Sequence, residues 1–251
     1  MRFLAALQFL TTIPISWQHK VSPEELGRSA GYFPVVGLII GIILIGLNWL
    51  FSLILPSAVV NALLIVSLAL LSGALHLDGF IDTCDGIAGH KITEDRWQVM
   101  HDSRAGGFGV SGGILLLLVK YASLNSIPTT MIMMSLVLMP VISRWAMVYA
   151  IFAYPYARPS GLGKVFKQGT SWPGFAMATL IALVVLITLA LLSGLAIISI
   201  MFLTWVMTVA MTAYLKSKFS GLTGDTYGAI NEVAEVSVLI LVTMLVKIGL
   251  T

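Results

Sequence analysis

The chain has 251 residues, 58% of them hydrophobic and 10% charged, with a mean hydropathy of +0.99 and a formal net charge of +3. That composition excludes a water-soluble globular domain of ordinary usage, and the small, dispersed charge without a basic stripe excludes a nucleic-acid binder. A single cysteine, Cys84, excludes an internal disulfide and a thiolate cluster for structural zinc.

What remains is an all-α, polytopic membrane bundle, because a hydrocarbon core of about 30 Å is crossed by helices of about 20 apolar residues. One integral membrane domain is expected over residues 1–251, with no fixed-period repeat and no low-complexity tract. Residues 1–13, MRFLAALQFLTTI, are too short to span and end at Pro14, which predicts an interfacial or re-entrant helix. They lack the small-residue cleavage site of a secretory signal, so the N-terminus is expected to be retained. Ser22, Pro23, Glu24 and Glu25 read as an N-cap, a proline in the first turn and acids suited to the helix dipole. A first span runs over about 32–55, broken by Pro56, and a second over about 58–75 delivers His76 and Asp78 to one membrane face. Thr93, Glu94 and Asp95 open a short helix to about His101, with Glu94, Asp95 and Arg96 as its solvated side. Further spans are expected over 107–123, 130–152, 174–192, 195–215 and 227–248, which makes seven, give or take one. A polar loop over 153–173, containing YPYARPSGLGKVFKQGTSW, separates the fourth span from the fifth.

Lys and Arg accumulate in short cytoplasmic loops, and eleven of the fourteen here fall on one side of this layout. That side carries the N-terminus, the segment after span two and the loops after spans four and six, so it is the expected cytoplasmic face. Lys120 and Lys247 are assigned near helix ends on the opposite face, and Arg144 lies inside span four. The location expected is the cytoplasmic (inner) membrane.

The stretch His76–Gly109, HLDGFIDTCDGIAGHKITEDRWQVMHDSRAGGFG, holds six of the eleven acids. Asp78, Asp82 and Asp85 fall at i, i+4 and i+7, within an arc of roughly 60° on a helix. Carboxylates so crowded repel one another, and a divalent cation relieves the repulsion. An oxygen-only donor set favours a hard ion such as Mg²⁺, which keeps waters or binds substrate phosphates. Gly79 and Gly86 would let a bulky anion approach that helix. Two other readings stay open: a solvated acidic loop, and zinc on His76, Cys84, Asp85 and His90. Asp102 and Arg104 precede AGGFGVSGG, where a helix start and an arginine suit phosphate, although the later glycines, Gly112 and Gly113, read rather as close-packing residues.

TGDTYGAINEVAE opens the last span. Asp225 suits either the site or the N-cap of that span; Glu232 and Glu235 lie two and three turns down, where an unpaired charge is costly. Arg144 is the partner available for one of those glutamates. Arg158, Lys164 and Lys167 suit an anionic substrate or anionic lipid.

Several of these segments together resemble the cobalamin synthase family of adenosylcobinamide-GDP ribazoletransferases: HLDGFIDTCDG, MHDSRAGGFG, YARPSGLG and TGDTYGAINEVAE, with LQFLTTIP and GYFPVVGLIIG nearer the N-terminus. The resemblance covers nearly the whole chain. It implies an Mg²⁺-dependent enzyme that joins adenosylcobinamide-GDP to α-ribazole or its 5′-phosphate and releases GMP, with substrates reaching it from the cytoplasm. On that footing Asp78, Asp82, Asp85 and Asp102 are expected to hold the metal. Asp102, Asp225 and Glu232 are the candidates for handling the acceptor's proton, and His76, Gly79, Gly86, Arg104 and Arg158 for contacting substrate. Trp145 and Tyr149 are candidates to line a cavity for the corrinoid. Membrane lipid is the other expected partner, nucleic acid is not, and a homo-oligomer is left open. The acidic motif is a looser relative of the CDP-alcohol phosphotransferase pattern, whose Ala-Arg pair is missing after Asp78-Gly79. A phospholipid-type transferase is therefore the alternative enzyme, and a cation or solute transporter the alternative outside enzymes.

Overall fold

The computed structural model describes residues 1–14, 21–88, 92–100, 102 and 104–250. Within them the chain is helical. Helix α1 covers Arg2–Leu10, α2 Pro23–Gly27, α3 Phe33–Ser52 after a 3₁₀ turn, α4 Ser57–Leu71, α5 Leu75–Ile87 and α6 Thr93–Val99. Helix α7 covers Gly107–Ser126, α8 Thr129–Ala153, α9 Leu162–Gly169, α10 Trp172–Ser193, α11 Ile198–Phe219 and α12 Gly224–Lys247. Six stretches are long and apolar enough to cross a membrane, α2 and α3 counting as one, and α4 with α5 makes a seventh if that bent pair is a single span. The polytopic helical bundle read from the sequence is thus the fold.

The second span differs from its expected form. Helix α4 stops at Leu71, Gly73 and Ala74 take left-handed conformations (φ 61° and 54°), and the chain turns by 89° into α5. The cause lies far away in sequence. The Thr12 hydroxyl donates to the Leu70 carbonyl at 3.0 Å and its N–H to Leu71 at 2.8 Å, so the end of α4 is satisfied by the segment after α1. The aspartates consequently sit on a helix of their own. Helix α1 has nine residues and buries Ala5, Ala6 and Leu10; α2 begins at the N-cap expected at Ser22, which Glu25 closes into a capping box.

Helix α8 is the axis of the bundle, buried over most of its length. Helix α3 lies along it at backbone contact, since a side chain at Gly37 would meet the Pro140 carbonyl and one at Gly41 the Leu136 carbonyl. Helix α12 packs between α8 and α5, and glycines set its approach to α5: Gly79 faces the backbone of Asp225, and Gly228 faces that of His76. Among the described residues the only extended pairing is one parallel bridge between Tyr156 and Leu222, where the Ala157 N–H donates to Leu222 and the Leu222 N–H to Pro155. It fastens the loop after α8 to the loop before α12.

Candidate active site

At the end of the bundle where α8 finishes and α12 begins lies a cavity of about 640 Å³, within the range that takes a drug-sized ligand. Asp78, Asp225 and Arg158 line it, with His76 and Tyr227. Each arrives by a local rule. Thr223 is the N-cap of α12 and forms a reciprocal box with Thr226, which places Asp225 in the first turn of that helix. The Tyr156–Leu222 bridge carries Arg158 to that carboxylate, at 3.2 Å. The contact between Gly79 and Asp225 then places Asp78 and Asp82 of α5 beside them.

The result is an excess of negative charge. Asp82 feels Asp78, Asp225 and Asp85 as like charges and Arg158 as the opposing one. Among the described residues no three His, Cys, Asp or Glu side chains stand close enough to enclose a metal ion. The donor chemistry of Asp78 and Asp82, oxygen only and without a hydrogen bond or ion pair from a described side chain, nevertheless fits a hard cation. It fits as an open set, completed by water or substrate oxygens, and not as a closed protein cage.

The other expected ligands lie elsewhere. Asp85 is buried, and its two oxygens accept the Gly106 and Gly109 N–H groups at 2.7 Å each. It therefore caps α7 from α5, and a side chain at either glycine would collide with it. Asp85→Ala leaves two helix-start N–H groups without that acceptor, and a loss of about 1.5–3 kcal/mol of stability is expected, read as a lower unfolding midpoint of the purified protein in detergent. Asp85→Asn, which keeps one acceptor oxygen, is expected to lose less. Asp102 does not close the cavity but pairs with Arg104 at 2.8 Å outside its lining, and those hydrogen bonds hold the Asp102 carboxyl down at about 2. As placed, neither supplies a proton acceptor or a phosphate clamp to the cavity.

Gly86 faces Met100 and Phe219 instead of the cavity, so it serves packing; Gly112 and Gly113 do the same against Cys84 and Ile81. Glu94 is exposed, as expected of a solvated side, and lines the cavity with Trp97, whereas Arg96, expected on the same side, is buried. Arg96 donates to the Lys218 carbonyl at the end of α11, and this docks α6 over the opening. Lys164 and Lys167 donate to the backbone carbonyls of Pro159 and Phe152 and so pin the loop. Trp145 donates to Thr179 and Tyr149 joins a ring cluster with Tyr154, Phe175 and Trp205; neither lines the cavity. His90, one of the zinc candidates, lies outside the described residues.

Glu232 is also absent from the cavity. Together with Glu235 it meets Lys120, at 2.6 and 2.5 Å, and Glu235 further pairs with Arg144, as one of the glutamates was expected to do. Lys120 was not foreseen there. It is 3% exposed in the middle of the bundle, and its place fourteen residues into the apolar α7 was the signal available. His76 lies within electrostatic reach of Arg144, Glu235 and Lys120, so the network sits beneath the cavity floor.

A bundle of membrane-spanning helices with a cavity at one end, carboxylates and an arginine among its lining, defines a polytopic integral membrane protein. The family described as Cobalamin-5-phosphate synthase (CobS) matches residues 2–243, and the chain belongs to it. Curated relatives named "Adenosylcobinamide-GDP ribazoletransferase" include one from Geotalea daltonii, 39% identical over 93% of this chain and 93% of its own. Others come from Roseiflexus sp. RS-1, 35% identical over 95% and 88%, and from Thermosynechococcus vestitus, 36% identical over 96% of each. No solved structure matches. The protein is accordingly an enzyme, a transferase of cobalamin biosynthesis.

Proposed function

We propose that this enzyme joins adenosylcobinamide-GDP to α-ribazole or α-ribazole 5′-phosphate, with Mg²⁺, from the cytoplasmic face of the cytoplasmic membrane. The observation that carries this reading is the charged part of the cavity, where Asp78 lines the wall with the Asp225–Arg158 pair and Asp82, outside the lining, lies within electrostatic reach of all three, in a chain of this family. The cytoplasmic side follows from the distribution of Lys and Arg.

In the reaction the ribose hydroxyl oxygen of the acceptor forms a bond to the phosphorus attached to cobinamide, the pyrophosphate P–O bond breaks, GMP departs with that bond's electrons, and the hydroxyl proton is released. Asp78 and Asp82 would hold Mg²⁺, which when bound neutralises the pyrophosphate and favours GMP as a leaving group. Arg158, beside Asp225, binds a phosphate oxygen. Asp225 is the one of the three proposed proton-handling acids that lines the cavity. It is positioned by Arg158 to orient the hydroxyl and take its proton.

The test is GMP release by the purified protein given adenosylcobinamide-GDP and α-ribazole, with and without Mg²⁺. Release that needs both substrates and the metal is expected. Release without an acceptor, release unaffected by chelation, or none from a folded preparation contradicts the proposal.

A further inference from the structure

The cavity has two chemically different groups of lining residues. Besides its charged residues, Phe9 of α1, Phe33 of α3 and Phe166 of α9 belong to its lining and meet one another, with ring centroids 4.6 Å apart for Phe9–Phe166 and 5.4 Å for Phe33–Phe166. Nothing in the phosphoryl chemistry uses these rings. Met147 and Ile151, one turn apart on α8, complete an apolar surface beside them. Three helices from separate parts of the chain each give one ring, with Phe9 partly exposed and Phe33 and Phe166 buried behind it.

Helix α9 belongs to both groups: Gly163 packs against the backbone nitrogen of Gly224, next to Asp225, and Phe166 follows one turn later. His76 and Tyr227 line the same cavity, 2% and 3% exposed, and neither the imidazole nitrogens nor the phenol hydroxyl has a hydrogen-bond partner among the described residues. Buried polar groups are nearly always paired in folded proteins, so unpaired groups on residues that line a cavity point to a ligand as their partner. The cavity thus brings charge, unpaired hydrogen-bonding groups and aromatic rings together within a volume suited to one nucleoside.

We propose that this is the acceptor's seat: its flat, apolar base lies against Phe9, Phe33 and Phe166, its ribose is held by His76 and Tyr227, and its hydroxyl is thereby presented to Asp225 and the phosphorus. The proposal rests on the transfer reaction proposed above. The guanine of the donor is the competing occupant. Guanine carries donors and acceptors around its edge, and the aromatic rings would leave them unpaired, whereas a benzimidazole-type base has little to satisfy there. The corrinoid is far larger than this cavity and stays outside it.

Phe9→Ala tests the assignment, because Phe9 is the least buried of the three rings. With full-length protein in nanodiscs, the KM for α-ribazole is expected to rise about ten-fold or more, while the KM for adenosylcobinamide-GDP stays within about two-fold of the parent, which also reports that the variant is folded. Phe9→Tyr, which keeps the ring, is expected to restore the acceptor KM. A rise confined to the donor KM, or no change in either, overturns the assignment. Equilibrium binding of α-ribazole alone to the parent and to Phe9→Ala gives a readout that needs no turnover. Binding to the parent that Phe9→Ala weakens about ten-fold supports the seat even if GMP release fails, and binding that ignores the substitution rejects it even if GMP release succeeds.

Discussion

Asp82→Asn is expected to lower GMP release by more than about a hundred-fold while the protein purifies and unfolds as the parent does. The expectation comes from charge rather than from packing. Asp82 is crowded by Asp78, Asp225 and Asp85, with Arg158 as the opposing cation, and it makes no hydrogen bond to a described side chain that its loss would break. Replacing it with the near-isosteric amide removes one negative charge from a repulsive group, so the folded state loses nothing and is relieved of some repulsion. What disappears is half of the oxygen set proposed to hold Mg²⁺. Asp78→Asn is expected to behave alike, and both are expected to shift the Mg²⁺ dependence to higher concentration before activity is lost. The control is Asp85→Asn, whose carboxylate caps α7 and whose effect is on stability. Near-normal turnover of Asp82→Asn at saturating Mg²⁺ would remove the metal assignment. A large fall in stability would show instead that Asp82 is structural.

The contrast between Asp82 and Asp85 shows what the sequence could disclose. Three aspartates at i, i+4 and i+7 do share a helix, α5. Periodicity cannot say which neighbour each one meets, and the partner of Asp85 is the start of α7, more than twenty residues on. Spans defined by long apolar runs were legible because length and hydropathy are local properties. The break between α4 and α5 was not, since it depends on Thr12 satisfying carbonyls 58 and 59 residues away. The same limit hid the role of Thr223: Asp225 and Thr223 are both good caps, and only the reciprocal box with Thr226 selects one of them. Of the candidate site, Asp78, Asp225, Arg158, Gly79 and His76 come together at the cavity, because their motifs flank helix ends that the bundle gathers at one face. The aromatic group escaped notice since single Phe residues in apolar segments carry no signal of what they face.

Glu235→Gln is expected to cost about 3–5 kcal/mol of stability, seen as a fall of about 10 °C in the unfolding midpoint in detergent. Lys120, Arg144, Glu232 and Glu235 lie roughly 12–20 Å below the cavity end of their helices, by residue count, in a region where isolated charge is costly. Their charges cancel two against two. Glu235 is the hub: it accepts from Lys120, Arg144 and Asn231, and so joins α7, α8 and α12. Removing its charge leaves two cations against one anion with no water to take up the difference, whereas removing a matched pair leaves neutrality intact. The double variant Lys120→Met, Glu232→Gln is therefore expected to be more stable than Lys120→Met alone, a sign reversal that a double-mutant cycle measures directly. Because His76 feels Arg144, Glu235 and Lys120 through the cavity floor, the singly charged variants are also expected to weaken acceptor binding before they unfold. If Glu235→Gln and Lys120→Met each left the midpoint within about 2 °C of the parent, the network would not be what joins these helices.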